Sequence, residues 1–199
     1  MRRWMLGWVL GFWLLGGLAV QALTFRTVVL DPGHGGKDGG AAWYGQVEKR
    51  LCLDVALRVE TLLKRRGLQV VMTRRTDRFV ELADRARLAN RSSSAVFVSL
   101  HFNASRNTSI RGLEVFYLSS RGKTLGSRIL SSLRARLQTT RGRGLVSGNL
   151  KVLRDTRMPA VVVEAGYLSN RTEAARITTA SHRQAIAEAI AAGILAARG

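Results

Sequence analysis

Two histidines and two carboxylates stand where short apolar runs of this chain break off. Thr27-Val-Val-Leu-Asp31 runs into Pro-Gly-His34-Gly-Gly, and Ala95-Val-Phe-Val-Ser-Leu-His101 runs into Phe-Asn103. Ala160-Val-Val-Val runs into Glu164-Ala-Gly, and Glu48 opens a helical pattern after a glycine-rich stretch. Singly, each has a plain reading: His34 a solvated turn residue, His101 a satisfied buried ring, Glu48 a favourable charge at a helix start. Glu164 is harder to dismiss. A carboxylate directly after three valines is desolvated, which is costly unless a partner or a metal compensates. Jointly, two imidazoles and one carboxylate with a fourth position open to water form the recurring ligand set of hydrolytic zinc sites. A further carboxylate beside such a site can take a proton from water and return it to a leaving amine. The separations of 14 and 53 residues between His34, Glu48 and His101 carry no motif by themselves. No HExxH helix is present, so the thermolysin-type arrangement is excluded. The third histidine, His182, reads as a surface residue at the start of the last helix.

These residues need elements to hold them, and the hydropathy pattern supplies them. Strands are expected at 27–31, 69–73, 95–101, 112–118 and 160–164, with an edge strand at Val152-Leu153. Leu51, Val55, Val59, Leu62 and Leu63 place a helix over 49–66, and Gly67 stops it. A short helix is expected at 82–90 and a longer one at 124–138. Ser181-x-x-Gln184 reads as a capping box before a last helix carrying Ile186, Ile190 and Ile194. Alternating short apolar strands and helices predict an α/β sandwich, a largely parallel sheet covered on both faces. Ligands of such sheets lie beyond the carboxyl ends of the strands, where the four candidate residues fall. The Arg-Gly-Arg-Gly run at 141–144 and the stretch to Asn149 read as a solvated basic loop.

Composition bounds the rest. With 199 residues, 46% hydrophobic and 23% charged, the chain can bury one core and is not a disordered tail. A single cysteine, Cys52, excludes a disulfide framework and a thiolate-rich zinc site, and its apolar helical setting makes it a core residue. Met1-Arg2-Arg3 precedes a stretch from Trp4 to Phe25 with no charge, and Val20-Gln21-Ala22 offers a cleavage site. Residues 1–22 therefore read as a signal peptide or an N-terminal membrane anchor, and residues 23–199 as one exported domain. Against 13 acidic residues stand 32 basic ones, a net charge of +19. That balance points to an anionic partner. Export makes it an acidic polymer of the cell envelope rather than nucleic acid.

The blocks Thr27-VVLDPGHGGKDGGA-Ala42, Val47-Glu48-Lys49, Thr73-Arg74-x-x-Asp77, Ser99-LHFNA and Pro159-AVVVEAGYLSN-Asn170 come in a definite order. Together they resemble the zinc-dependent N-acetylmuramoyl-L-alanine amidases of bacterial cell walls, over about residues 26–196. The resemblance implies a three-layer αβα sandwich around a mixed, mostly parallel sheet of about six strands. It implies one zinc ion held by His34, Glu48 and His101, with Glu164 as the catalytic carboxylate. It implies peptidoglycan as substrate, cut between the lactyl group of N-acetylmuramic acid and L-alanine of the stem peptide, in the periplasm or cell wall. Beside these, Asn103 is expected to orient a ligand or bind substrate, and Asp31 to accept an imidazole N–H. The interval from Leu118 to Val152 leaves no room for the inserted helix that blocks the zinc in some division-linked relatives. No separate wall-binding domain is visible, so the basic surface is expected to hold anionic wall polymers. A monomer is expected, with no membrane contact beyond the N-terminal segment.

Two other readings stay open. One is a zinc carboxypeptidase or other peptidase on the same scaffold. The other is an exported polymer-binding module with a structural metal.

Overall fold

The computed structural model describes residues 22–199. The expected export segment therefore lies, apart from Ala22, outside the described residues.

Six strands form one sheet: β1 (Thr27–Pro32), β4 (Gln69–Met72), β5 (Ala95–Asn103), β6 (Glu114–Tyr117), β7 (Gly144–Ser147) and β8 (Ala160–Tyr167), in the order β4-β1-β5-β8-β6-β7. All neighbours run parallel except β6 and β8. The sheet is thus mixed and mostly parallel, as the resemblance implied. A two-stranded ribbon, β2 (Ala42–Trp43) with β3 (Gln46–Val47), stands apart from it.

Burial explains the strand order. In β5, Val96, Val98, Leu100 and Phe102 point to one face while Ala95 and Phe97 point to the other, and all are buried. A strand apolar on both faces belongs in the middle of a covered sheet. The larger core lies under α1 (Glu48–Arg65), α3 (Ser120–Leu137) and α6 (Ala180–Ala197), each of 18 residues. The smaller core lies under α2 (Leu82–Ala89) and α4 (Lys151–Arg154), of only eight and four residues. Two short helices cover less length than three long ones. The thin layer therefore leaves the carboxyl end of the sheet open on its own side.

Some expectations are corrected. Val152 and Leu153 form a helical turn, not an edge strand, and both are buried in the smaller core. Two adjacent apolar residues do not distinguish the two periods. The edge strand is β7, inside the stretch expected to be a solvated loop. It pairs with β6, and Leu145 packs on the larger core. Helix α3 starts four residues before the apolar pattern does, because Ser119 Oγ accepts the Gly122 amide at 3.0 Å. Helix α6 is capped by Thr179, which accepts the His182 amide at 3.2 Å, so Ser181 lies within its first turn. The seven-residue α5 (Arg171–Ile177), capped by Asn170, has no counterpart in the hydropathy pattern. His182 is half-buried rather than on the surface, against Leu137, Glu173 and Ile177, and burial lowers its pKa. Cys52 is buried as expected.

Candidate metal centre and its surroundings

Four loops or strand ends meet at the open end of the sheet. After β1 the chain turns through Gly33, His34 and Gly35, and His34 itself adopts φ 59°, a left-handed conformation that non-glycine residues seldom take. Two buried arginines hold that turn. Arg74 donates Nε to the Pro32 carbonyl at 3.0 Å and Nη2 to those of Gly33 (2.6 Å) and Lys49 (2.8 Å). Arg85 donates to the carbonyls of Pro32 and His34, both at 2.8 Å. The strain of the turn is thus offset by charge-assisted hydrogen bonds on either side of it.

Glu48 is the first residue of α1 and is buried. The amide of Ala41 donates to its Oε2 at 2.9 Å and that of Phe102 to its Oε1 at 3.1 Å. His101 stands near the end of β5, where the pairing with β8 shifts register between His101 and Asn103. Such irregularities re-aim side chains at active sites. Close approach is secured by glycines. A Cβ on Gly33 would meet the His101 ring at 2.2 Å, and one on Gly40 would meet Glu48 Oε2 and His34 Cδ2 at 2.6 Å.

Three ligand-type atoms converge as a result. His34 Nε2 and His101 Nδ1 each lie 3.0 Å from Glu48 Oε1, and the two rings meet edge to face at 4.8 Å between centroids. One donor atom from each of His34, Glu48 and His101 lies within 4.8 Å of the others. Tetrahedral zinc with ligands at about 2.0–2.1 Å places neighbouring donors about 3.3 Å apart. The two nitrogen-to-oxygen distances of 3.0 Å lie near that value, and two nitrogens with one oxygen are a donor set that suits such an ion. Asp38 Oδ2 sits 2.8 Å from His34 Nδ1, which turns Nε2 inward.

The electrostatics fit a cationic guest. Burial works against ionising Glu48, yet hydrogen bonds from His101 and His34 hold its carboxyl well below the usual range. Burial likewise opposes protonation of both rings, but Glu48 outweighs it and raises them. Across the sheet, Glu164 stands in register between His101 of β5 and Glu114 of β6. Its Oε2 is buried and has no hydrogen-bond partner among the described residues. Burial pushes its carboxyl up to about 7; His101 counteracts this, while Glu48 and Glu114 add to it.

All four residues singled out in the sequence therefore gather at one end of the sheet. Asp31 is a correction. Its carboxylate faces inward and accepts from Thr73 Oγ1 (2.6 Å), Ser99 Oγ (2.7 Å) and Arg85 Nη1 (2.8 Å), not from an imidazole. It sits inside the sheet, still paired with Ser99, where it cannot reach the loop. The imidazole partner is Asp38, four residues beyond His34, in a glycine-rich segment without periodicity. Asn103 donates to Glu114 Oε2 at 3.3 Å and lines a cleft of about 430 Å³ with Ile110, Arg143 and Tyr167. Glu114 was not singled out. It is buried, accepts from Arg143 Nη2 (2.5 Å) and Tyr167 Oη (2.6 Å), and is ionised below the usual range despite burial, because these donors hold it. A second cleft, of about 370 Å³, reaches His34 and His101 past Phe79, Val80 and Leu82.

Known proteins share this arrangement of strands and loops. Residues 28–196 match the family described as N-acetylmuramoyl-L-alanine amidase. The probable cell wall amidase LytH of Staphylococcus epidermidis is 35% identical over 198 residues, covering 97% of this chain and 66% of LytH. The N-acetylmuramoyl-L-alanine amidase LytC of Bacillus subtilis is 34% identical over 169 residues, covering 83% of this chain and 34% of LytC. The chain thus spans just under two thirds of the one relative and a third of the other. Among solved structures, the amidase AmiC2 of Nostoc punctiforme superposes with a TM-score of 0.82 at 39% identity, covering 85% of this chain and 95% of that one. The catalytic domain of CwlV from Paenibacillus polymyxa gives 0.82 at 38%, covering 86% and 97%. With the match running through β1, α1, β5 and β8, the chain belongs to the N-acetylmuramoyl-L-alanine amidase family.

Proposed function

We propose that this protein is an exported zinc amidase of the cell wall. It hydrolyses the amide between the lactyl group of N-acetylmuramic acid and L-alanine of the peptidoglycan stem. The observation that carries the reading is the buried, unpartnered Glu164 Oε2 beside the cradle of His34, Glu48 and His101.

His34 Nε2, Glu48 Oε1 and His101 Nδ1 would hold the ion. The chemistry a bound zinc supplies is a water of pKa about 7 and a polarised carbonyl. The chain does the rest. Asp38 fixes the His34 ring, and the Ala41 and Phe102 amides fix the Glu48 carboxylate, so the donors need no rearrangement. Glu164 accepts the proton of the attacking water at its carboxylate and then delivers it to the stem nitrogen as the C–N bond breaks. A carboxyl with a pKa near 7 suits both halves of that transfer. The cleft that reaches His34 and His101 and the one lined by Asn103 and Glu114 would give the glycan and the stem peptide separate places to lie.

Mass spectrometry of purified muropeptides digested by the protein, with and without a chelator, tests this. Expected products are free stem peptides and glycans ending in an intact lactyl carboxyl, both lost with chelation. Released single amino acids would instead indicate a peptidase. Binding to peptidoglycan with no product, unaffected by Glu164→Gln, would indicate a binding module.

A further inference from the structure

The basic residues look scattered in the sequence, but the fold gathers many of them at the end of the sheet opposite the metal cradle. Backbone hydrogen bonds knit that end together. Arg26 N donates to Ser94 O, Gln69 N to Arg26 O, Phe97 N to Pro159 O, Leu23 N to Ala197 O and Gly199 N to Leu23 O. Arg157 N donates to Asn90 Oδ1, and the first turn of α3 packs Gly122 against Ala160. These bonds bring the segments 22–27, 64–69, 90–95, 118–124, 154–159 and 195–199 to one side. They expose Arg26, Arg65, Arg66, Arg91, Arg121, Lys123, Arg157 and Arg198. Among the described residues, no hydrogen bond or ion pair engages any of these eight side chains. Within the same segments the sole acidic side chain is Asp155, which already pairs with Lys151 and Arg154. The carboxylates of the catalytic end, Asp31, Asp38, Glu48, Glu114 and Glu164, all lie at the other pole.

The first described residue lies at this basic end. Exposed Ala22 lies beside Arg121 in one cleft with Leu23 and Ser120, and the sequence before it, from Trp4 to Val20, holds no charge. An uncharged apolar stretch and a cationic face meeting at one point match a bilayer with acidic headgroups: hydrocarbon for one, phosphate for the other. We propose that this face docks on an anionic phospholipid surface. Strand β5, nine residues long, spans about 30 Å. Docking would therefore hold the catalytic end about that far from the bilayer, facing the wall. This proposal departs from the expectation of no membrane contact beyond the N-terminal segment.

Residues 22–199 include all six strands of the sheet and both cores, so they can be tested without the apolar stretch. The assay is co-flotation with phosphatidylglycerol vesicles, phosphatidylcholine vesicles, or neither, beside pull-down on insoluble sacculi carrying their anionic polymers. The expected result is flotation with phosphatidylglycerol only. Replacing Arg65, Arg66, Arg91 and Arg157 together by Gln should weaken it on the order of hundreds-fold, at about fivefold per cation. Replacing Lys37, Arg50, Arg106 and Arg171 at the catalytic end should weaken it far less. Circular dichroism and hydrolysis of soluble muropeptides report whether the first quadruple variant still folds. The proposal is overturned by flotation with phosphatidylcholine as well, by no flotation at all, or by equal losses in both quadruple variants. It is equally overturned if the first variant loses sacculus binding while the parent ignores vesicles, which would make a wall polymer the partner. A failed digestion of muropeptides by the parent would count against the amidase reading and not against this one.

Discussion

Glu164 gives the sharpest test, because its environment predicts two opposite effects of one substitution. A carboxyl that binds its proton at about pH 7 in the fold and at pH 4.5 in an open chain opposes folding when ionised. The sign follows from the two protonation states. Below pH 4.5 both forms are neutral and the residue contributes nothing. Between 4.5 and 7 the open chain releases the proton first, and stability falls as pH rises. Above 7 the loss is complete, at about 3 kcal/mol. Glu164→Gln removes that loss, while its amide brings a pH-independent penalty of about 1–3 kcal/mol if it finds no partner. The penalty cancels in a difference between two pH values. In the presence of a chelator, the variant should therefore gain on wild type by about 6–12 °C in Tm between pH 4.5 and pH 8, at about 2–4 °C per kcal/mol. The same variant should lose about 10²–10⁴-fold in muropeptide hydrolysis at pH 8 if the carboxylate moves the proton. Differential scanning calorimetry and a product assay read the two effects. A Tm difference that does not change with pH would refute the premise that the carboxylate is desolvated and unpartnered. Full activity would refute its role.

The remaining expectations follow from the same geometry. Hydrolysis at limiting substrate should rise with pH through an acid limb at or below about 7, because the proposed base, Glu164, works only when deprotonated and a bound dication would favour that form; a rate that falls over that range would contradict it. Asp38→Ala frees Nδ1 of His34 and should weaken zinc binding by about 10–100-fold in calorimetric titration, with the fold retained. Gly40→Ala should abolish zinc binding, because the methyl would press on Glu48 Oε2 and the His34 ring at a position whose φ of 67° already disfavours a side chain; unchanged affinity would show that the cradle is looser than drawn. Arg74→Met removes four hydrogen bonds to carbonyls, those of Pro32, Gly33, Lys49 and Thr76, and leaves Pro32 with Arg85 as its remaining arginine donor, so it should lower Tm and zinc affinity together, whereas a loss of Tm alone would leave Arg74 outside the positioning of His34.

How much of this was legible in the chain depends on the range of the interaction concerned. Strands such as Ala95–Asn103 and Ala160–Tyr167 announce themselves, because burial on both faces demands unbroken apolar residues. The carboxyl ends of such strands are where a parallel sheet leaves a crevice, so His34, His101 and Glu164 could be found without coordinates. The misses are of two kinds. Val152-Leu153 and Gly144–Ser147 are too short for a period to declare itself, and only their neighbours, α2 and β6, decide what they become. Asp38 rather than Asp31 meets the imidazole, because the choice rests on side-chain direction at the end of β1. The last residues of that strand are still paired with β5, so Asp31 points into the sheet toward Arg85, and the loop beyond reaches His34. Glu114 shows the same limit: nothing in Gly-Leu-Glu-Val-Phe reveals that β6 will lie beside β8 and bring a second carboxylate into register with Glu164.

The end of the sheet that holds the metal cradle accumulates features that a stability-driven sequence would avoid. His34 is left-handed, Glu164 Oε2 is buried without a partner among the described residues, and two carboxylates stand in register on neighbouring strands. The first and the third are held in place by neighbouring donors. Arg74 and Arg85 fix the carbonyls around His34, and Arg143 with Tyr167 neutralises and orients Glu114. Arginine suits both tasks because its planar fork stays charged when buried and satisfies several oxygens at once. Among the described residues, Glu164 Oε2 has no such donor. A guanidinium there would lower its pKa and weaken it in the role of base proposed for it.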